Sequence, residues 1–200
     1  MTKKIFLHVG CGYSNINNTP FQESEWNEIR LDIDPKKNPD IIGSIVHMNN
    51  IKNHSIDALY SSHNIEHLYP HEVEPALREF KRVLNPSTGF AIITCPDIKR
   101  ICGMVSKGRL HESAYESVIG PITPFDILYG NSKSIQKGNL HMAHHCGFTE
   151  ESLASELTKS HFTDIAIMTR SVPPFDIWSI GTCYNTSKEE LKDLADKYFP

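Results

Sequence analysis

The chain has 200 residues, enough for one domain with a sizeable core. Its 20 Lys and Arg against 24 Asp and Glu give a formal charge of −4, which argues against a general nucleic-acid binder and its basic face. With 39% hydrophobic and 22% charged residues the composition is that of a folding chain, not a disordered one.

In chain order, residues 5–9 form a short apolar run that ends at Gly10-Cys11-Gly12, a strand running into a tight turn. The apolar start is interrupted by His8 and leads into that turn rather than a cleavage site, so it reads as a first strand and not as a signal peptide. Further strands are expected at 29–33, closed by Asp34-Pro35, at 41–46, at 56–61 and at 89–95, the last stopped by Pro96. Between the last two, Val73, Ala76, Leu77, Phe80, Val83 and Leu84 recur at helical spacing, which predicts a helix over 71–84 and a strand-helix-strand crossover of a parallel sheet. Residues 97–106 read as another helix, whereas 108–147 carry Gly, Pro and His with little periodicity and read as a functional cap. Thr149 caps a helix over 149–160, strands follow at 163–169 and 177–183, and Ser187 with Glu190 forms a capping box opening a last helix that buries Leu191, Leu194, Ala195 and Tyr198. The apolar run Phe90–Ile93 falls far short of the roughly 20 residues of a membrane span. Five scattered cysteines without a C-x-x-C pair read as free thiols of a cytoplasmic protein, with Cys102 and Cys146 as buried small hydrophobes.

A strand ending in Gly-x-Gly, followed some twenty residues on by a strand ending in an acidic residue, is the core of a nucleotide-cofactor site in open α/β sheets. Glycines let the ligand approach the backbone, and the carboxylate accepts from ribose hydroxyls. Gly10, Gly12 and Asp32 stand in that arrangement. Asn15 occupies the third glycine of the dinucleotide fingerprint, which disfavours NAD, and no Walker-type Lys-Ser/Thr follows.

The ordered set Leu7-His8-Val9-Gly10-Cys11-Gly12, Arg30–Pro35, Ile56–Leu68, Ala76–Pro86, Ile93–Asp97, Tyr129-Gly130 and His144–Leu153 resembles the class I S-adenosylmethionine-dependent methyltransferases, in particular a small bacterial group of the type 11 kind. The resemblance spans nearly the whole chain. It implies an α/β, Rossmann-like single domain over 1–200: a central, mostly parallel seven-stranded sheet with the last strand antiparallel and helices on both faces. Residues 1–96 are then the cofactor half, 97–147 a substrate-covering insert, and 148–200 the closing helix, two strands and final helix. It also implies S-adenosylmethionine as cofactor and S-adenosylhomocysteine as product, a small-molecule acceptor such as a sugar or metabolite hydroxyl, and neither nucleic acid nor membrane as partner. Gly10 and Gly12, with His8, Cys11 and Tyr13 around them, would cradle the methionine part; Asp32 with Ile33 would take the ribose; Ser44 and Ile45 would lie along the adenine; Ser61 and Ser62 would approach the methionine ammonium. His8 stands where many relatives have an acidic residue, and Ser14 takes the third glycine position of their motif.

Methyl transfer to a hydroxyl also needs the acceptor's proton removed, a task suited to imidazole near neutral pH. His144, His67, His63 and His141 are the candidates, His144 foremost. His141-x-x-His144-His145 with Glu150 offers metal-ligand types but fits no standard zinc spacing, so no metal is expected. Lys99, Arg100 and Arg109 follow the fifth strand on the side where ligands bind, as surface charge or as contacts for an anionic acceptor. The rival readings are a binder of the cofactor or its product without catalysis, and another nucleotide-dependent enzyme on the same sheet.

Overall fold

Alternation along the strands divides the apolar side chains between two faces of one sheet. The structure, a computed structural model, describes residues 2–117 and 120–200. In β1 (Lys4–Val9), Leu7 and Val9 enter one core layer and Phe6 the other. β4 (Ala58–Ser62) splits Leu59 from Ala58 and Tyr60, and β5 (Phe90–Pro96) splits Ala91, Ile93 and Cys95 from Phe90 and Ile92. With β2 (Trp26–Asp32), β3 (Ile41–Ile42), β8 (Ile165–Thr169) and β9 (Asp176–Thr182), these strands build a seven-stranded sheet ordered β3-β2-β1-β4-β5-β9-β8. β3, β2, β1, β4 and β5 pair in parallel, while β9 runs antiparallel to both β5 and β8. The expected sheet, with the last strand of the chain reversed, is the one observed.

One face is covered by α1 (Pro70–Val83), whose Val73, Ala76, Leu77, Phe80 and Val83 are buried, and by α5 (Glu150–Lys159) through Leu153 and Leu157. The opposite face has a different filling. The link from β1 to β2 contains only a single turn of 3-10 helix, Ile16–Asn18, and an aromatic group does the packing instead. Phe6 stacks on Phe21 with centroids 4.3 Å apart, and Trp26, Phe90 and Tyr198 of α6 (Lys188–Tyr198) close around them. Such pairs add roughly 0.5–1.5 kcal/mol each beyond the burial of their area.

Several boundaries shift. The strand expected at 41–46 is only Ile41–Ile42; beyond it the chain turns, leaving Ser44 and Ile45 in a loop. The weakly periodic 108–147 segment holds β6 (Tyr115–Ser117) and β7 (Gly120–Ile122), then α3 (Pro124–Tyr129) and α4 (Ser132–Gln136). These are too short to show a hydrophobic period and are held by capping, as where Thr123 and Asp126 bond reciprocally. They pack on α2 (Ile98–Val105) through a small core of Ile101, Ile122, Ile127 and Phe175. At α6, Ser187 accepts from the Glu190 N–H, but the Glu190 carboxylate takes the Tyr184 hydroxyl at 3.0 Å instead of completing a box. Of the residues expected on its inner face, Tyr198 is fully buried and Leu191, Leu194 and Ala195 half-buried. All five cysteines are free thiols, and Cys102 is exposed rather than buried because it lies on the outer side of α2. Among the described residues no helix is long and apolar enough to cross a membrane.

Candidate functional site

The chain proceeds from β1 through β2 to β3 on one side of the sheet and from β4 to β5 on the other, so the strand order reverses between β1 and β4. In open α/β sheets the crevice beyond the carboxyl ends at such a point is where ligands bind. Here it is a cleft of about 490 Å³, floored by Gly10, Gly12 and Asp32, walled by Ser44 and Ile45 on one side and His63, Asn64 and His67 to Tyr69 on the other, and roofed by Asn139–Met142 of the cap.

Gly10 and Gly12 both have positive φ, +60° and +55°, which side-chain-bearing residues adopt only with strain. They serve different ends. A Cβ on Gly10 would lie 2.3 Å from Asn64 Cγ, so Gly10 lets the turn after β4 close onto the turn after β1. A Cβ on Gly12 would meet nothing within 4 Å, leaving open space above it.

Asp32, at the end of β2 and only 8% exposed, ties this turn to its own strand. Its Oδ2 accepts from the Gly12 N–H and its Oδ1 from the Asp34 N–H, both at 2.8 Å. A carboxylate offers about four lone-pair sites, so two remain toward the cleft. Arg30 completes the clamp, donating to the Gly12 carbonyl at 2.8 Å and the Ser14 carbonyl at 3.0 Å. Nothing in the sequence pattern singled out Arg30, because its role is to hold main-chain carbonyls that only the fold brings together.

The other expected cofactor residues divide by position. Ile33, Ser44 and Ile45 line the cleft; Ile33 is 52% exposed there, and the Ser44 hydroxyl accepts from the Val46 N–H. His8 does not line it. It is buried against Tyr60, with Nδ1 2.7 Å from Glu28 Oε1 of β2. Glu28 also accepts from the Ile16 N–H and so fixes the 3-10 turn. Cys11 is buried and does not line the cleft either; burial pushes its thiol up to about 11. Tyr13 projects into solvent with Lys37 Nζ 3.9 Å from its ring centre. Ser61 is fully buried, and the Ser62 hydroxyl lies 2.9 Å from that of Thr94. Asn64, absent from the expected set, lines the cleft with a buried Nδ2 that has no hydrogen-bond partner among the described residues.

The histidines gather around a turn of 3-10 helix, Ile65–His67. His63, in the left-handed region at φ +48°, places Nδ1 3.5 Å from Glu66 Oε1 and Nε2 3.7 Å from Asp176 Oδ2. Burial alone would lower its pKa, but the Asp176 and Glu66 carboxylates outweigh it and raise the imidazole to about 9. Asp176 is also gripped by Arg170, Nε to Oδ1 at 2.5 Å and the second nitrogen to Oδ2 at 2.8 Å. His67 donates from Nδ1 to the Ala143 carbonyl, and His144 from Nδ1 to the Ile127 carbonyl at 2.8 Å. The two rings meet edge to face at 4.7 Å. His144 does not line the cleft. It faces a separate cavity of about 20 Å³ together with Glu66, and burial holds its pKa below the usual imidazole value. His63, His67 and His141 do line the cleft, as does His145, whose ring stacks on Tyr69 at 4.1 Å.

A second opening, of about 630 Å³, runs along α2 and the end of β8. Lys99, Arg100, Lys107 and Arg109 line it with Asp97 and Glu150. Lys99 lies 3.4 Å from Glu151 and Arg109 2.9 Å from Glu112, so part of this charge is paired on the surface.

Residues 7–92 match the family described as "Methyltransferase domain". No curated protein matches the chain by sequence. Among solved structures, a protein of Pyrococcus horikoshii is similar at a TM-score of 0.63 and 13% identity, over 90% of this chain and 82% of that one. A SAM-dependent methyltransferase of Methanosarcina mazei is similar at 0.57 and 14%, over 91% and 93%. The 1,6-didemethyltoxoflavin-N1-methyltransferase of Burkholderia thailandensis, solved with bound 1,6-didemethyltoxoflavin and S-adenosylhomocysteine, is similar at 0.57 and 16%, over 90% and 70%. Residues 7–92 are thus similar to a methyltransferase domain, and the fold shared with these structures continues through the sheet to β9.

Proposed function

We propose that the protein transfers a methyl group from S-adenosylmethionine, held in the Gly10–Asp32 cleft, to a hydroxyl of a small molecule such as a sugar or other metabolite. The observation that carries the reading is the fit of this cleft to the cofactor. Asp32 keeps two lone-pair sites for ribose hydroxyls after satisfying its backbone donors. The space over Gly12 accepts the methionine chain, and the unpartnered Asn64 Nδ2 offers a buried donor to its carboxylate. Ile33 and Ile45 give apolar surface to the adenine. The volume, about 490 Å³, suits one cofactor and the reacting end of a small acceptor, which supports a small molecule over a polymer threaded through the site.

When bound, the cofactor supplies a methyl group already activated on a sulfonium. The chain's own residues then position the acceptor in line with that bond, which is worth roughly 7–11 kcal/mol, and the cap segment Asn139–Met142 excludes water. His141 takes the acceptor's proton. It lines the cleft from the cap, whereas His144 lies behind it. The whole chain acts as one domain, residues 97–147 covering the acceptor.

The test is S-adenosylhomocysteine release across a panel of hydroxylated acceptors, with wild type and His141→Ala. Turnover with at least one acceptor, cut roughly 10²–10⁴-fold in the variant at unchanged cofactor affinity, supports the assignment. Turnover unaffected by the substitution removes His141 from the chemistry. Tight cofactor binding with no turnover on any acceptor favours a binding protein.

A further inference from the structure

Glu66, His67 and His144 form a group that the methyl-transfer chemistry leaves without a role. One ligand atom from each lies within 4.8 Å of the others. Glu66 is 1% exposed, and neither carboxylate oxygen has a hydrogen-bond partner. Its nearest charged neighbour, His63, stands off at 3.5 Å on the cleft side. A buried carboxylate costs several kcal/mol in real proteins; His63 offsets part of this at 3.5 Å without a hydrogen bond to either oxygen, which leaves room for a further compensating charge.

The imidazoles explain what kind. A carbonyl oxygen only accepts, so the bonds from His67 to Ala143 and from His144 to Ile127 place the proton on Nδ1 of both rings. Nε2 of each neutral ring is then a lone pair. One nitrogen of each ring converges with a Glu66 carboxylate oxygen, and none of these three side chains donates a hydrogen bond to another. Main-chain carbonyls fixing Nδ1–H are also the usual outer partners of metal-bound histidines, where they set the tautomer and orient the ring.

We infer that Glu66, His67 and His144 bind one divalent transition-metal ion, of the zinc or cobalt class that two imidazoles and one carboxylate suit. Donor atoms bound at about 2.0–2.2 Å lie within about 4.4 Å of one another, so side-chain adjustments of under about 1 Å close the group on an ion. The adjoining cavity of about 20 Å³, faced by Glu66 and His144, has room for the single water that completes the coordination. The ion locks the cap onto the cofactor half. The same two segments are already joined where the His145 and Cys146 N–H groups both donate to the Glu66 carbonyl.

The site is tested without the cofactor. Protein stripped with a chelator is titrated with Co²⁺, followed by its d–d absorption, and with Zn²⁺, followed by equilibrium dialysis and thermal melting. One equivalent should bind, with a visible Co²⁺ band and a Zn²⁺-dependent rise in Tm. Glu66→Gln and His144→Ala should each weaken binding by at least the roughly 10- to 100-fold that loss of an outer partner alone produces. His111→Ala, whose ring lies on Phe125 outside the group, should bind as wild type. If His144→Ala lacks the wild-type circular dichroism, His144→Asn replaces it. Absence of saturable binding, or binding that survives both substitutions, overturns the proposal. Either result leaves the cofactor reading standing, since that is judged by S-adenosylhomocysteine binding alone.

Discussion

Replacing Asp32 by Asn separates the turn-forming role of this side chain from its role toward a ligand. In the wild type the carboxylate accepts from the Gly12 and Asp34 N–H groups, both at 2.8 Å, and keeps two acceptor sites toward the cleft. The amide has one oxygen. One backbone donor therefore loses its partner, which costs roughly 1–3 kcal/mol of stability when it stays buried. On the cleft side one acceptor becomes a donor and the charge is lost. A hydrogen bond to a charged group is worth about 1.5–3 kcal/mol, so affinity for S-adenosylmethionine and S-adenosylhomocysteine should fall roughly 10- to 150-fold. Calorimetric titration with both, and with NAD as a control, gives the affinity; thermal melting gives the stability. A lowered Tm with cofactor affinity within about threefold of wild type would mean that Asp32 only shapes the turn, and the ribose assignment would be refuted. Tight NAD binding would point instead to a nucleotide-dependent enzyme of another kind.

The two glycines of the turn should fail differently. Gly10→Ala drives a Cβ to 2.3 Å from Asn64 Cγ and should lower Tm sharply, whereas Gly12→Ala meets no atom within 4 Å and should cost only the roughly 1–2 kcal/mol of left-handed strain while impairing cofactor binding. Equal Tm losses would contradict this division. Acid should also reveal Asp176. Although burial raises its pKa, His63 and Arg170 outweigh that and hold it at about 2 against 3.8 when unperturbed. A depressed carboxyl stabilises the fold fully above the unfolded value and loses that contribution as pH falls toward 2, a change of roughly 2 kcal/mol. Melting between pH 5 and 2 should therefore fall more steeply in wild type than in Asp176→Asn; parallel curves would show that this pairing contributes nothing.

The order of elements was legible because each long element carries its own period. The apolar runs of β1, β4 and β5, bounded by turn residues, and the helical spacing of α1 are local properties, written in residues that solvent exclusion sorts the same way wherever they sit. The Gly10-Cys11-Gly12 turn and Asp32 were legible for a related reason: a close backbone approach needs glycine, and a carboxylate twenty residues on must end the neighbouring strand. The cap over 108–147 was legible only as irregular, since β6, β7, α3 and α4 are too short to repeat a hydrophobic spacing and rest on individual caps.

What the tertiary structure decided is which side chains meet. His8 stands just before the glycine turn in sequence yet lies on Glu28 in the core, because alternation turns it to the opposite face from Leu7 and Val9. His141, His144 and His145 are neighbours in sequence, but the chain's path sends His141 to the cofactor cleft, His144 to Glu66 behind it and His145 onto Tyr69. Glu66 and His144 are separated by almost eighty positions, and no local pattern pairs them. Sequence determines the strands, the glycine turn and the acidic strand end, since backbone sterics and burial act over a few residues. Which imidazole faces a ligand, which a carboxylate and which only a carbonyl depends on long-range packing of the cap against the turn of residues 65–69 after β4, and only the folded chain sets it.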